Sequence, residues 1–369
     1  MTRDISKEPI GKTRVCGLAA SRMRTERGFT LVEIMVAVTI GLIILAAVAQ
    51  LFATSRTAFV LEEGLARLQE NGRFSMEFIV RDLRMAGYAG CLNVSQALNT
   101  KANYTVTNQL QTVGFGANFG AGQHLQGFSA NAATWTPALP GIFGGNPPLP
   151  DTDVLVVRRG DDTAYRLTAA MGGTAANVPI TGHSLGQNEI VIVADCNNVD
   201  IFQITADPTG GALPHDASAN NSVDLSKDFG TQAEVMRLLT RVYYVGTGAA
   251  GSPALMRSDM DPGGGMAAAV ELVEDVESMR IVYGEDTDAD GDANIYRLPG
   301  AVTDWSRVVG VRIGLLLRTP NESGQDVDAK VYDVLGDTAA NTDNFDPVDD
   351  KRQRRIFSST IRLRNMRTD

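Results

Sequence analysis

The chain has 369 residues, of which 44% are hydrophobic, and its 33 basic and 43 acidic side chains give a net charge of −10. This composition suits one large folded domain or two small ones, and the acidic balance argues against an extended nucleic-acid surface. The charge is unevenly distributed, because residues 1–28 hold seven of the basic and three of the acidic residues.

A run of 24 residues from Phe29 to Phe52 contains a single charged side chain, Glu33. As a helix it is roughly 36 Å long, enough to cross the hydrocarbon core of a bilayer, and a charge within such a segment is costly and usually functional. The basic flank predicts that the N-terminal side stays in the cytoplasm and that the rest of the chain crosses the membrane. Two alternatives are a buried core helix and a cleaved secretory signal ending at Ala47-Val48-Ala49. Both fit less well, the first because of the length and the second because of the length and the acid.

The segment Gly28-Phe29-Thr30-Leu31-Val32-Glu33 resembles the cleavage and methylation motif of type IV prepilins and type II secretion pseudopilins. The resemblance implies that a prepilin peptidase cuts between Gly28 and Phe29 and methylates the new amino terminus of Phe29. It also implies that Glu33 pairs with the amino terminus of a neighbouring subunit. Residues 1–28 are then a cytoplasmic leader, and the remainder, with 26 basic and 40 acidic residues, has a net charge of −14.

Residues 53–90 are predicted to continue the helix as an amphipathic half outside the membrane. Their apolar positions recur near helical spacing, with charged residues between them. Gly64 and Gly72 should weaken this helix locally, and Gly87 and Gly90 are candidate stops, so one helix of about 55–60 residues is expected. The apolar positions are Phe59, Leu65, Leu68, Phe74, Phe78, Ile79 and Leu83.

Residues 91–369 are predicted to form a β-rich globular domain with long loops at 92–150, 206–232 and 320–350. Helical spacing of Val270, Val273 and Val276 favours a short helix over 270–279. A long N-terminal helix followed by a mainly antiparallel sheet is an α+β arrangement, as in pilins. The predicted strands are 104–113, 153–158, 188–194, 201–205, 235–245, 254–257, 279–283, 307–317 and 357–363.

Further blocks, spaced over nearly the whole chain, resemble the PilW family of minor pilins. The resemblance implies a structural subunit that is not an enzyme. Its implied partners are other minor and major pilins, the prepilin peptidase and an inner-membrane assembly platform. The blocks are Arg67-Leu-Gln-Glu-Asn-Gly-Arg73, Asp82-Leu-Arg-Met-Ala-Gly-Tyr88, Gly90-Cys91, Asp195-Cys196, Asp200-Ile-Phe202, Val276-Glu-Ser-Met-Arg280, Tyr283-Gly284 and Phe357-Ser-Ser-Thr-Ile-Arg-Leu-Arg-Asn365.

The chain has three cysteines, of which Cys16 would be lost with the leader. Cys91 and Cys196 remain as an even pair in an exported domain, and an oxidising compartment favours a disulfide between them over two buried free thiols.

The segment Asp286-Thr-Asp288-Ala-Asp290-Gly-Asp292 resembles the first half of a calcium-binding loop, since alternating carboxylates and a glycine at the sixth position suit a hard cation. The twelfth position is Arg297, where an EF-hand needs a glutamate, so a polar turn without metal is the alternative. No other cofactor is expected.

Two further groups of charged or titratable residues carry no specific functional motif. His124, His183 and His215 lie in glycine-rich stretches without metal-ligand or nucleophile motifs, and we expect them to be solvated. A basic run near the C-terminus could meet DNA or an acidic partner. Alternation with apolar residues favours a half-exposed strand whose arginines form salt bridges or a subunit contact.

The sequence therefore predicts a PilW-like minor pilin that primes assembly of a type IV pilus. It would be held in the inner membrane by a single pass, with its C-terminal domain in the periplasm, and would enter the pilus after assembly. The alternatives are a type II secretion pseudopilin and a signal-anchored periplasmic domain that binds calcium.

Overall fold

The structure is a computed structural model that describes residues 28–93, 105–120, 122–132, 134–208, 210–324, 326–336 and 344–366. The basic leader therefore lies outside the described residues, apart from Gly28. The chain divides after Arg56 into an N-terminal helical unit and a larger unit that begins at Thr57.

One α-helix, α1, extends from Leu31 to Met85 and has 55 residues, as the sequence predicts. Gly87 and Gly90 follow it with φ angles of 72° and 76°. This left-handed region is readily accessible to glycine, so Gly87 ends the helix as expected, whereas Gly90 lies beyond β1 in the turn to β2.

The rest of the described chain is mainly β-structure, with three short 3-10 helices at Pro299–Ala301, Trp305–Arg307 and Arg364–Met366. The strands are β1 Tyr88–Ala89, β2 Leu92–Asn93, β3 Thr105–Asn108, β4 Leu125–Asn131, β5 Thr134–Thr136, β6 Asp153–Arg166, β7 Val178–Pro179, β8 Ile190–Ala194, β9 Asn198–Gln203, β10 Ala212–Leu213, β11 Glu234–Thr247, β12 Pro253–Asp259, β13 Val270–Glu274, β14 Val276–Glu285, β15 Ile295–Arg297, β16 Val308–Arg318, β17 Tyr332–Asp333, β18 Asn344–Phe345 and β19 Arg354–Arg362.

Two sheets form the body of the domain. The nine-stranded sheet has the order β3-β9-β8-β11-β6-β4-β5, with β12 added to β11 and β13 added to β12. The four-stranded sheet has the order β15-β14-β16-β19. Pairing is antiparallel throughout the described strands, except that β3 and β9 are parallel. The α+β prediction is confirmed.

The helix contributes one face to the core. Its buried residues recur every three or four positions, and they include both glycines that were expected to weaken it: Gly64, Leu68, Gly72, Ser75, Ile79, Asp82 and Leu83. A side chain at Gly72 would overlap the ring of Phe357 in β19, and one at Gly64 would approach Thr319 to 3.3 Å. These glycines therefore serve close packing between the helix and the domain.

The amphipathic prediction was correct for part of the helix only. Leu68 and Ile79 are buried, whereas Phe59, Phe74 and Phe78 are exposed by 66%, 38% and 39%. The core beneath α1 draws on both sheets, with Leu155 from β6, Tyr243 from β11 and a large set from β14 and β16: Val276, Met279, Ile281, Tyr283, Val308, Val311, Ile313, Leu315 and Leu317.

The predicted helix over 270–279 was wrong. Residues 270–274 form β13 and residues 276–285 form β14, separated by Asp275 with a φ angle of 59°. The three-residue spacing of the valines spans a bend between two strands of different sheets, and it imitates a helical repeat for that reason.

Strand β4 lies within a segment that was interpreted mainly as loop. Its Gly127 packs so closely on the Tyr283 ring that a Cβ atom would collide with it. A glycine within an apolar pattern lowers the apparent strand propensity, although here it permits contact between the sheets.

Candidate assembly site

The start of α1 is closed by a reciprocal set of hydrogen bonds between Thr30 and Glu33. The backbone N–H of Glu33 donates to Thr30 Oγ1 at 3.2 Å, and Glu33 Oε2 accepts from the Thr30 N–H at 3.4 Å and from Thr30 Oγ1 at 3.3 Å. This is a capping box, in which an N-cap threonine and a glutamate three residues later satisfy free N–H groups at the helix start. Glu33 thus has a local role that the sequence interpretation missed, although the Thr-x-x-Glu spacing could have revealed it.

The helix that follows the cap presents an apolar surface on all sides. Every residue from Gly28 to Val60 is exposed, and the large apolar residues from Phe29 to Phe52 are exposed by 44% or more. By length and composition α1 can cross a membrane, and it is the one described helix that meets this criterion. An exposed apolar cylinder needs lipid or other helices around it.

Asp82 joins the other half of α1 to the nine-stranded sheet. Its carboxylate accepts from Arg241 Nη1 at 2.7 Å, from Arg159 Nε at 3.3 Å and from the Tyr243 hydroxyl at 2.5 Å. Asp82 is 1% exposed, and burial together with the nearby carboxylate raises the pKa of Tyr243 well above its ordinary value. Two arginines and a hydroxyl satisfy the charge, which would otherwise be very costly inside the protein.

Cys91 and Cys196 form a disulfide with a Cα–Cα distance of 4.9 Å. Cys91 lies between β1 and β2, directly after the helix, and Cys196 lies in the turn between β8 and β9. The bond ties the segment that follows α1 to the nine-stranded sheet at the turn between β8 and β9.

The carboxylates of Asp286, Asp288 and Asp290 each place an oxygen within 4.8 Å of the others. These hard oxygen donors fit calcium, but the loop also uses them itself. Asp286 accepts from the N–H groups of Ala289 at 2.6 Å and Gly291 at 2.8 Å. Asp292 forms an ion pair with Arg362 at 2.9 Å, and Arg297 forms one with Glu285 at 2.9 Å.

The histidines differ from the solvated side chains that were expected. His124 and His215 are 1% and 2% exposed, whereas His183 is half-buried. Burial, reinforced by the charge of Arg158, lowers the pKa of His124 to about 4, so its ring is neutral at pH 7. Glycine-rich flanks gave the impression of open loops, although these two rings fill space in the core.

The C-terminal basic run forms ion pairs, as the favoured alternative predicted. The side chain of Arg354 is buried and binds Glu277 at 2.7 Å and Asp350 at 2.8 Å. Arg352 binds Asp350 at 3.4 Å. These arginines hold β19 and the loop before it to β14, and they are therefore not available to DNA.

Comparison with known families agrees with this architecture. Residues 23–49 match the Prokaryotic N-terminal methylation motif, and residues 242–365 match the Type IV Pilus-assembly protein W. The resemblance to PilW-family pilins is confirmed. The two matches support a type IV pilus-related pilin, and the apolar helix α1 suggests a membrane anchor. The PilW match covers all strands from β12 to β19. No curated protein and no solved structure matches the chain.

Proposed function

We propose that this PilW-type chain is a minor pilin, a structural component without enzymatic activity that primes type IV pilus assembly. The observation that carries the proposal is the position of the capping box. It lies directly after Gly28 and Phe29 and at the head of an exposed apolar helix. Cleavage between Gly28 and Phe29 would create a charged amino group next to this box, and the peptidase would then methylate it.

Glu33 would have two roles in the processed chain. Within the subunit its carboxylate caps α1, and between subunits it would neutralise the amino terminus of a neighbour. An uncompensated charge in the membrane is costly, so subunits would dock at the register where both charges are paired. The acid would thereby set the axial position of each subunit against the next.

We further propose that residues 29–52 form the membrane half of the helix, that residues 53–90 form its periplasmic half, and that residues 91–369 form the periplasmic domain. After docking with other minor pilins on the inner-membrane assembly platform, the domain would enter the pilus. A type II secretion pseudopilin would carry the same N-terminal motif, and deletion of the gene separates the two by removing either surface pili or protein export.

Replacement of Glu33 can separate its two roles. Glutamine preserves the capping box, since Gln serves at this position as Glu does, but it removes the charge. Alanine removes both. We expect Glu33→Gln and Glu33→Ala to leave export intact and to impair piliation to a similar degree, measured by electron microscopy of cells and by recovery of sheared pili.

Two results would contradict the proposal. Normal piliation in Glu33→Gln would remove the docking role of the charge, while a defect in Glu33→Ala alone would assign the effect to helix capping. Intact mass of the membrane-extracted wild-type chain gives an independent check. It should correspond to a methylated chain that begins at Phe29, and a chain that begins at Met1 or Gln50 would reject the pilin assignment.

A further inference from the structure

A groove follows α1 on the side where its phenylalanines are not covered. Two open cavities of about 640 and 340 Å³ share Phe74 and Phe78 as walls. The first lies between α1 and residues 271–274 of β13, and the second continues along α1 to Arg81. The result is one groove between a helix and the margin of a sheet, with apolar walls at Phe74 and Phe78 and charged side chains along the second cavity.

The strand beside this groove is an edge strand. β13 pairs with β12 on one side, and no other described strand pairs with it. Its side chains alternate in part, with Val273 buried and Glu274 exposed. An unpaired strand edge offers backbone N–H and C=O groups to an extended segment of another chain.

The charges that line the groove leave a negative surplus. Its four arginines already have carboxylate partners within the molecule, in the pairs Arg81–Asp162, Arg159–Asp82, Arg241–Asp82 and Arg257–Asp259. In contrast, Glu77, Asp161 and Glu274 line the same groove, and none of them forms an ion pair with a described residue. A ligand of this surface should therefore be both apolar and basic.

We propose that β13 and the groove receive an extended, basic segment of a neighbouring pilin subunit by strand addition. The backbone of that segment pairs with the free edge of β13, its apolar side chains cover Phe74 and Phe78, and its Lys or Arg side chains meet Glu77 and Glu274. The inference rests on the proposed pilin function, because it names the surface through which the periplasmic domain meets a partner.

The same charges argue against a second copy of this chain paired through β13. Symmetric pairing of two β13 edges would bring the acidic side chains Glu271 and Glu274 close to their own copies, and like charges on neighbouring strands are destabilising. The edge therefore selects a partner of opposite charge.

A labelled, capped peptide of about nine residues, the length of an ordinary strand, serves as the probe. Valine and lysine alternate in it, and its control has glutamate in place of lysine. With the full-length protein in detergent, we expect fluorescence anisotropy to show binding of the lysine peptide and much weaker binding of the glutamate peptide. Hydrogen exchange should slow at residues 270–274 when the lysine peptide is bound.

Charge reversal at the groove supplies the decisive comparison. Glu77→Lys combined with Glu274→Lys should weaken binding of the lysine peptide by about tenfold or more, equivalent to about 1.4 kcal/mol, and should strengthen binding of the glutamate peptide. Glu62→Lys is the matched control, because Glu62 is exposed on α1 but does not line the groove. All three side chains lie outside the core, and a thermal melt checks that each variant is folded.

Three outcomes would overturn the inference: equal binding of both peptides, insensitivity to the double reversal, or protection away from residues 270–274. Binding of a helical basic peptide in preference to the extended one would also reject strand addition. None of these outcomes bears on cleavage after Gly28 or on the role of Glu33. The pilin assignment is therefore tested independently, by the intact mass and by the Glu33 variants.

Discussion

Single buried charges decide how α1 is attached to the domain. Asp82 belongs to the polar positions of an amphipathic helix, and its sequence context predicts a solvated side chain. Its partners Arg159 and Arg241 are 77 and 159 residues away along the chain. Burial of this acid depends on contacts that no local pattern encodes, and for that reason the sequence could not reveal it.

His124 is a second buried group with a consequence at the scale of one residue. Neither ring nitrogen has a hydrogen-bond partner among the described residues, and the side chain packs against Gly87 at the end of α1. Below pH 6.5 the unfolded chain takes up a proton at this histidine, while the folded chain stays neutral until its pKa of about 4. The free energy of unfolding should therefore fall as the pH is lowered through this window, by an amount on the order of 3 kcal/mol.

His124→Leu should abolish this part of the acid sensitivity without loss of stability at pH 7, because no hydrogen bond of the ring is removed. Urea unfolding of the full-length protein between pH 4 and pH 7 measures the effect, with His183→Gln as a control at a half-buried histidine. An unchanged slope in His124→Leu would show that the buried ring does not cause the sensitivity.

At the scale of elements, the contact between α1 and β19 depends on the absence of a side chain. Gly72→Ala should improve helix propensity by up to about 1 kcal/mol, yet the new methyl group would meet the Phe357 ring. Overpacking of this kind typically costs about 1–3 kcal/mol, so we expect a net loss in the free energy of unfolding.

Gly64→Ala is the graded control, since its methyl group would approach Thr319 only to 3.3 Å. Replacing the Phe357 ring by a smaller side chain should relieve the clash with the new methyl group. The double variant Gly72→Ala with Phe357→Leu should therefore lose less free energy of unfolding than the sum of the two single variants, measured by urea unfolding. Additive effects would contradict direct contact between helix and strand.

The sequence predicted the elements with strong periodicity and missed those defined by distant partners. The long helix and the strands around 235–245 and 307–317 could be read from apolar runs, and β11 and β16 lie there. The bend at Asp275 could not be predicted from the sequence, because it depends on β13 and β14 joining different sheets. The Thr-x-x-Glu spacing at Thr30 is enough to predict the capping box, whereas the prepilin-like motif indicates only the pairing of Glu33 with another subunit.

At the scale of the whole molecule, the acidic loop at 286–292 can be tested for calcium by its effect on stability. Its carboxylates already accept N–H groups of the loop and bind Arg362, and a bidentate acid at the twelfth position is missing. We therefore expect millimolar calcium to shift the melting temperature by no more than about 1 °C relative to EDTA.

Asp286→Asn should lower the melting temperature equally in calcium and in EDTA, because it weakens the hydrogen bonds of the loop itself. A clear rise with calcium in the wild-type protein, lost in Asp286→Asn, would instead establish a metal site.

The disulfide after α1 limits how the molecule responds to tension. A force along the helix axis acts in shear on the Asp82 contacts and on the packing around Gly72. Non-covalent contacts of this kind can break one after another. The Cys91–Cys196 bond is covalent and begins six residues beyond Met85. Even with every other contact broken, the helix end can move from the sheet by only the reach of that short tether, roughly 20 Å. The disulfide would thus limit the chain extension between the helix and the sheet under load, in addition to the peptide chain that already joins them.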